Sequence, residues 1–160
     1  MNIYTVSLFG HRNMMNPLLV EEQLENEVYR LLKSQKYVNF LIDRTGEFDF
    51  MAALAIHRVM KTYSRRNSSL ILVLPYQNKS YASNKEILLK LYDEIEVCRE
   101  SSNAYYKLAF QLRNQNMIDR SELVLCCIEH HSGGAYQTVR YAEKQGKPII
   151  NLAENRKISD

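Results

Sequence analysis

The sequence predicts an α/β fold, a Rossmann-like three-layer sandwich in which a mostly parallel sheet carries helices on both faces. Two observations predict it. Short β-rich runs alternate with longer segments of helical period along the whole chain, the order that builds an open sheet wrapped by helices. The run "LILVL" is continuously apolar, as expected of a strand covered on both faces. A third observation sets the size. The 160 residues contain no repeat, linker or low-complexity tract, so residues 1–160 are expected to form one domain, long enough to bury roughly two thirds of its unfolded surface.

The elements follow in order. Residues 3–9, "IYTVSLF", are the first strand, and a helix opens near Pro17 with Leu18, Leu24, Val28, Leu31 and Leu32 on its apolar side. Residues 37–42, "YVNFLI", are the second strand, after which Phe50, Ala53, Leu54 and Met60 mark a largely buried helix. Residues 69–75, "SLILVLP", are the third strand. The stretch 76–93 is less regular, with a short helix expected at 85–91, and residues 94–98, "EIEVC", form a weaker strand. A helix over 104–120, a strand over 122–128 and a helix over 135–145 come next. Gly146 caps the last helix before a final strand, "KPIINL".

Composition narrows the function classes. The chain is 46% hydrophobic and 24% charged, with eleven Tyr and no Trp. A formal net charge of +3 is small, and Arg65-Arg66, the one dense basic cluster, is expected to end a helix, so nucleic acid is not expected as a partner. No apolar run approaches the roughly 20 residues of a membrane span. The N-terminal stretch lacks a basic n-region and is interrupted by His11 and Arg12, unlike a signal peptide. Three cysteines, two adjacent in an apolar run, read as small core residues of a reduced, cytoplasmic protein.

In open parallel sheets ligands bind beyond the carboxyl ends of the strands, and four segments reach that edge. After the first strand comes "GHR": Gly10 lets the backbone turn and approach a ligand, and His11 and Arg12 project from the edge, or else simply face water. After the second strand comes "RTGEFDF". Gly46 turns the chain, Glu47 is either a general base or solvated, and Asp49 is either an N-cap or a ligand for ribose hydroxyls. "EHHSGGAYQT" places Gly133 and Gly134 at a helix start, a plausible phosphate cradle of backbone N–H groups. In the helix before it, Tyr106, Phe110, Arg113 and Met117 share one face. An Arg on an apolar face needs a partner, either Asp119 or another carboxylate, or a ligand.

The adjacent His130-His131 lack the spacing of two ligands on one helix face, and no Cys pair supports them, so no metal is expected. There is no Walker-type lysine loop, no nucleophile elbow and no dinucleotide G-x-G-x-x-G, and no cofactor is expected.

Taken together and in this order, "FGHR", "GEFD", "RNQNMIDRSE", the Gly-Gly pair with Thr138, and "GKPIINL" resemble the SLOG superfamily over residues 3–152. That group joins the lonely-guy phosphoribohydrolases and the DNA-processing protein A family, and the chain looks most like its YpsA-like branch. The resemblance implies a Rossmann-like fold, a nucleotide or nucleotide-derived ligand at the strand ends, and room for a homo-oligomer formed through helices. Arg113 and Met117 match the Arg and Met of the lonely-guy helix motif, with Asn114 where its Lys would stand. Gly133, Gly134 and Thr138 match its phosphate loop. The loop has one extra residue, and Tyr141 stands where the enzymes carry a catalytic Glu. A carboxylate there stabilises an oxocarbenium-like state and activates water; a tyrosine with an ordinary pKa of about 10 does neither. The expectation is therefore a binding module for a nucleotide-derived small molecule, acting as sensor, regulator or sequestering protein. Its ligand would be held by Gly10, His11, Arg12, Gly46, Arg113, Asn114, Gly133, Gly134 and Thr138. The alternative is a nucleotide N-glycosidase with Glu47 or Asp49 in the carboxylate role.

Overall fold

The computed structural model of the protein describes residues 2–153, and the remainder of the expected 1–160 domain lies outside the described residues. The order is β1 (Ile3–Gly10), α1 (Pro17–Ser34), β2 (Tyr37–Ile42), α2 (Glu47–Thr62), β3 (Ser68–Leu74), α3 (Lys79–Leu88), β4 (Glu94–Val97), α4 (Tyr106–Asp119), β5 (Leu123–Cys127), α5 (Gly134–Lys144) and β6 (Ile149–Asn151). The six strands form one sheet in the order β4-β3-β2-β1-β5-β6. Every pairing in it is parallel, with Val6 opposite both Phe40 and Leu123.

The period-2 alternation of strand side chains divides the interior into two cores. Val6, Leu8, Phe40, Ile42, Leu70, Leu72, Leu125 and Cys127 point to the face covered by α1 and α2. Phe9, Leu41, Ile71, Val73, Val124 and Cys126 point to the face covered by α4 and α5. The neighbouring cysteines thus lie on opposite sides of the sheet, and Cys98, Cys126 and Cys127 are free and buried.

Local phase differs from expectation in two helices, and the start of a third differs as well. Leu18 is exposed, and the buried stripe of α1 runs through Val20, Leu24, Val28, Leu31 and Leu32. Phe50 and Leu54 face outward from α2, whose buried side is Phe48, Ala52, Ala53, Ala55, Ile56 and Val59. Small alanines let this helix lie close on the sheet, so the large residues mislead about its inner face. Helix α3 begins at Lys79 rather than residue 85 because Asn78 caps it, its Oδ1 accepting the Tyr81 N–H at 2.8 Å. Arg65 and Arg66 end no helix: α2 stops at Thr62, and the pair is exposed in the loop to β3.

Candidate functional site

The chain starts at β1 and builds outward through β2, β3 and β4, then returns to place β5 and β6 on the other side. The switch point therefore lies between the carboxyl ends of β1 and β5, where Gly10 pairs with Cys127. A cleft of about 460 Å³ opens there. Gly10, His11, Arg12, Asp49, Arg113, Asn114, Gly133 and Gly134 all line it, so seven of the nine expected ligand residues and one of the two expected carboxylates meet in one place. Gly46, Thr138 and Glu47 stand behind the wall.

The "GHR" turn is held by packing. A Cβ on Gly10 would lie 2.2 Å from Cγ of Phe48, so the glycine admits the first turn of α2 against the strand end. Gly46 backs on to the Cα of Arg12 in the same way. The Glu47 N–H donates to the Arg12 carbonyl at 2.9 Å, and Glu47 Oε1 accepts the Met14 N–H at 2.7 Å. Glu47 thus anchors the loop from outside the cleft.

His11 is buried, and its ring stacks on His130 with centroids 3.7 Å apart and planes at 13°. Its Nε2 accepts the His130 backbone N–H at 3.4 Å, which places the ring proton on Nδ1. Burial, then the neighbouring His130, lower its pKa from the ordinary value, against a smaller opposing pull from Glu129. His11 is a neutral platform; exposed His130 and Arg12 present themselves to solvent above it.

The acidic side of the cleft is neutralised from within. Arg113 is buried and bidentate to Asp43, Nη1 to Oδ1 and Nη2 to Oδ2, both at 2.8 Å. Nη1 also donates to the Val73 carbonyl and Nε to Asn114 Oδ1. Asn114 Nδ2 donates to Thr138 Oγ1, and Thr138 Oγ1 donates to the Gly134 carbonyl. One hydrogen-bonded chain therefore runs from the end of β2 through α4 to the first turn of α5. Thr138 is spent on that chain behind the cleft wall.

Asp49 is the third residue of α2, and Gly46 is its N-cap. Its Oδ2 accepts the Thr45 N–H at 3.1 Å, reaching back over the helix start as the acid of a capping box does. Thr45 Oγ1 lies 3.0 Å from Asp43 Oδ2 and 3.1 Å from Asp49 Oδ2. One hydroxyl proton cannot serve two ionised carboxylates, so one of the two contacts needs a carboxyl proton. Burial, then the nearby Asp43 charge, push the Asp49 pKa up to about 7, so below that pH Asp49 is the acid that carries the proton.

At the far wall Gly133 has φ +92°, a backbone that side-chain-bearing residues rarely adopt. It turns the chain into α5, whose start has no side-chain cap and no acidic residue in the first turn. Both features favour an anion. Tyr141 stands outside the cleft. Its hydroxyl donates to Asp119 Oδ1 at 2.7 Å, a bond that raises its pKa and keeps the phenol protonated.

Sequence patterns alone missed Asp43, Thr45, Phe110 and His130 as cleft residues. Asp43 and Thr45 had a usable signal, since they follow β2 as His11 and Arg12 follow β1. His130 drew notice only as a metal ligand.

No family model matches the chain, and no curated protein matches it. Among solved structures it is similar to DNA processing protein A from Streptococcus pneumoniae, with TM-score 0.64 and 14% identity, covering 92% of this chain and 49% of that one. It is also similar to DNA processing protein A from Helicobacter pylori, with TM-score 0.61 and 17% identity, covering 91% of this chain and 63% of that one. The chain spans about half to under two thirds of the proteins it matches, and the likeness is one of fold. The Helicobacter structure describes that protein's single-stranded DNA binding mode. This finding overturns the expectation of a small nucleotide-derived ligand, with its glycosidase alternative, and the expectation that nucleic acid is not a partner. A net charge of +3 averages over the whole chain and does not report the local field of one edge.

Proposed function

We propose that this is a cytoplasmic SLOG-superfamily protein, of the YpsA-like branch by its motif order, that holds single-stranded nucleic acid across the carboxyl edge of its sheet. The observation that carries the reading is the fold likeness, over nine tenths of the chain, to a protein with a single-stranded DNA binding mode. The cleft supports it by its chemistry. Single-strand sites join cationic or N–H-rich grooves for the backbone to flat side chains for the bases. Here Arg12 and the uncapped start of α5 suit a phosphate, and His130 and Phe110 offer flat surfaces. The wall's two acids repel a phosphate less than two free carboxylates would, because Asp43 is paired with Arg113 and the pKa of Asp49 is raised to about 7. Among the described residues no helix is long and apolar enough to cross a membrane.

The test is fluorescence anisotropy of a labelled oligothymidylate and of a duplex of equal length, each at several salt concentrations. Saturable binding that prefers the single strand, with log K falling linearly with log salt, is expected. Absence of binding to either oligomer at low salt would remove the reading.

A further inference from the structure

A second cavity of about 150 Å³ lies beside the main cleft, beyond the carboxyl ends of β2 and β3. The two share Asp43, Thr45 and Phe110, so they are compartments of one edge separated by a common wall. Its inner surface is apolar, from Leu72, Leu74 and Leu88, and its sides are aromatic. Tyr76 meets Phe110 edge to face, with centroids 5.9 Å apart and planes at 84°, which fixes the ring of the shared wall. Tyr81 stands across from them in the first turn of α3, and Asn78 and Ser80 supply the polar rim. The Asn78 Oδ1 is engaged by the Tyr81 N–H, and its Nδ2 has no hydrogen bond among the described residues. Arg44 is exposed at the mouth.

We infer that this compartment is a base-receiving subsite, in which one unstacked nucleobase of the strand inserts beside Tyr76 and Phe110 while its backbone stays in the main cleft. The inference rests on the single-strand reading and adds where a base goes. A cavity about one third the size of the main cleft is too small for a nucleotide with its phosphate but suits one flat ring. Aromatic walls meet the face that every base presents, and an amide and a hydroxyl at the rim meet its edge. Arg44 stands where the strand would leave the pocket, and its cation suits the next phosphate. The leucine floor and the aromatic sides suit a flat ring better than a phosphate alone.

The experiment compares a short oligothymidylate with an abasic strand of the same length, so that the sugar-phosphate chain is constant and only the bases differ. The wild-type protein is expected to bind the thymidylate roughly tenfold or more tightly than the abasic strand. Tyr76→Ala is expected to remove most of that difference while leaving affinity for the abasic strand unchanged. Ser80→Phe, on the exposed rim, fills the mouth without touching the core and is expected to do the same. If thymidylate binds the wild type and both variants equally, the subsite is overturned and the single-strand reading stands. If the wild type binds neither strand, both fall. A wild type that binds both strands equally also overturns the subsite, whatever the variants do.

Discussion

The guanidinium of Arg113 and the carboxylate of Asp43 face each other fork to fork, with two parallel contacts of 2.8 Å, seventy positions apart in the chain. Arg113 is the largest fully buried side chain among the described residues, and its other donors hold Val73 and Asn114. This pair ties β2 to α4, and through Asn114 and Thr138 it ties α4 to α5. Removing one partner of such a pair leaves a buried charge uncompensated, at a cost of about 3–5 kcal/mol. Arg113→Ala is therefore expected to lower stability by that order in urea denaturation. Arg113→Lys should recover only part of it, since an ammonium keeps the charge and loses the fork. An Arg113→Ala protein as stable as wild type would show that the pair holds nothing together.

The sheet was legible because each strand is a short apolar run with helical text between, and both its faces are covered. A carboxylate partner for Arg113 was legible, as Asp119 or another acid, but its identity as Asp43 was not, because pairing across seventy residues depends on which strand ends lie side by side. Asp119 instead accepts from Tyr141. Helix phase was legible in α1 from Leu24 onward but in α2 only at Ala53, since alanines face inward there and Phe50 and Leu54 face out. The position of the cleft was legible as glycines at strand ends. The reason for Gly10 was not, since contact with Phe48 is a tertiary fact.

Gly10 gives the next prediction. A methyl group there would overlap the Phe48 ring, with Cβ 2.2 Å from Cγ, and Phe48 is fully buried with nowhere to move. Overpacking of this kind costs about 1–3 kcal/mol. Gly10→Ala should lower the urea midpoint with little change in the slope. Gly134→Ala is the control: no atom lies within 4 Å of its added Cβ and its φ is not positive, so stability should be unchanged or slightly raised. Equal behaviour of the two variants would refute the packing account.

Asp49 predicts a pH dependence of stability. Its native pKa is about 7, against about 3.9 in the unfolded chain. Between those values the folded state holds a proton that the unfolded state has lost. Stability from this group therefore falls as pH rises from about 4 to about 7 and levels off above, by on the order of 4 kcal/mol in all. Asp49→Asn keeps a neutral acceptor for the Thr45 N–H and a donor for its hydroxyl. Denaturation at pH 5 and pH 8 should show the variant less pH-dependent than wild type, and more stable than it at pH 8. A variant that weakens the fold equally at both values would show that Asp49 is ionised throughout.

Arg12 is the cation that divides local field from net charge. It is exposed at the cleft, its backbone is fixed by Glu47 and Gly46, and nothing in the fold depends on its guanidinium among the described contacts. Arg12→Ala should leave the melting temperature unchanged, weaken oligothymidylate binding, and reduce the slope of log K against log salt by about 1, as loss of one phosphate contact does. Arg65→Ala removes the same formal charge from the loop between α2 and β3. That loop lies at the opposite edge, since α2 starts at the carboxyl ends of the strands and runs back to their amino ends. It should therefore bind as wild type does. If the two variants lose affinity equally, binding follows net charge, and the strand does not cross the cleft. If only Arg12→Ala loses affinity and salt dependence together, a phosphate lies at the turn between β1 and α1.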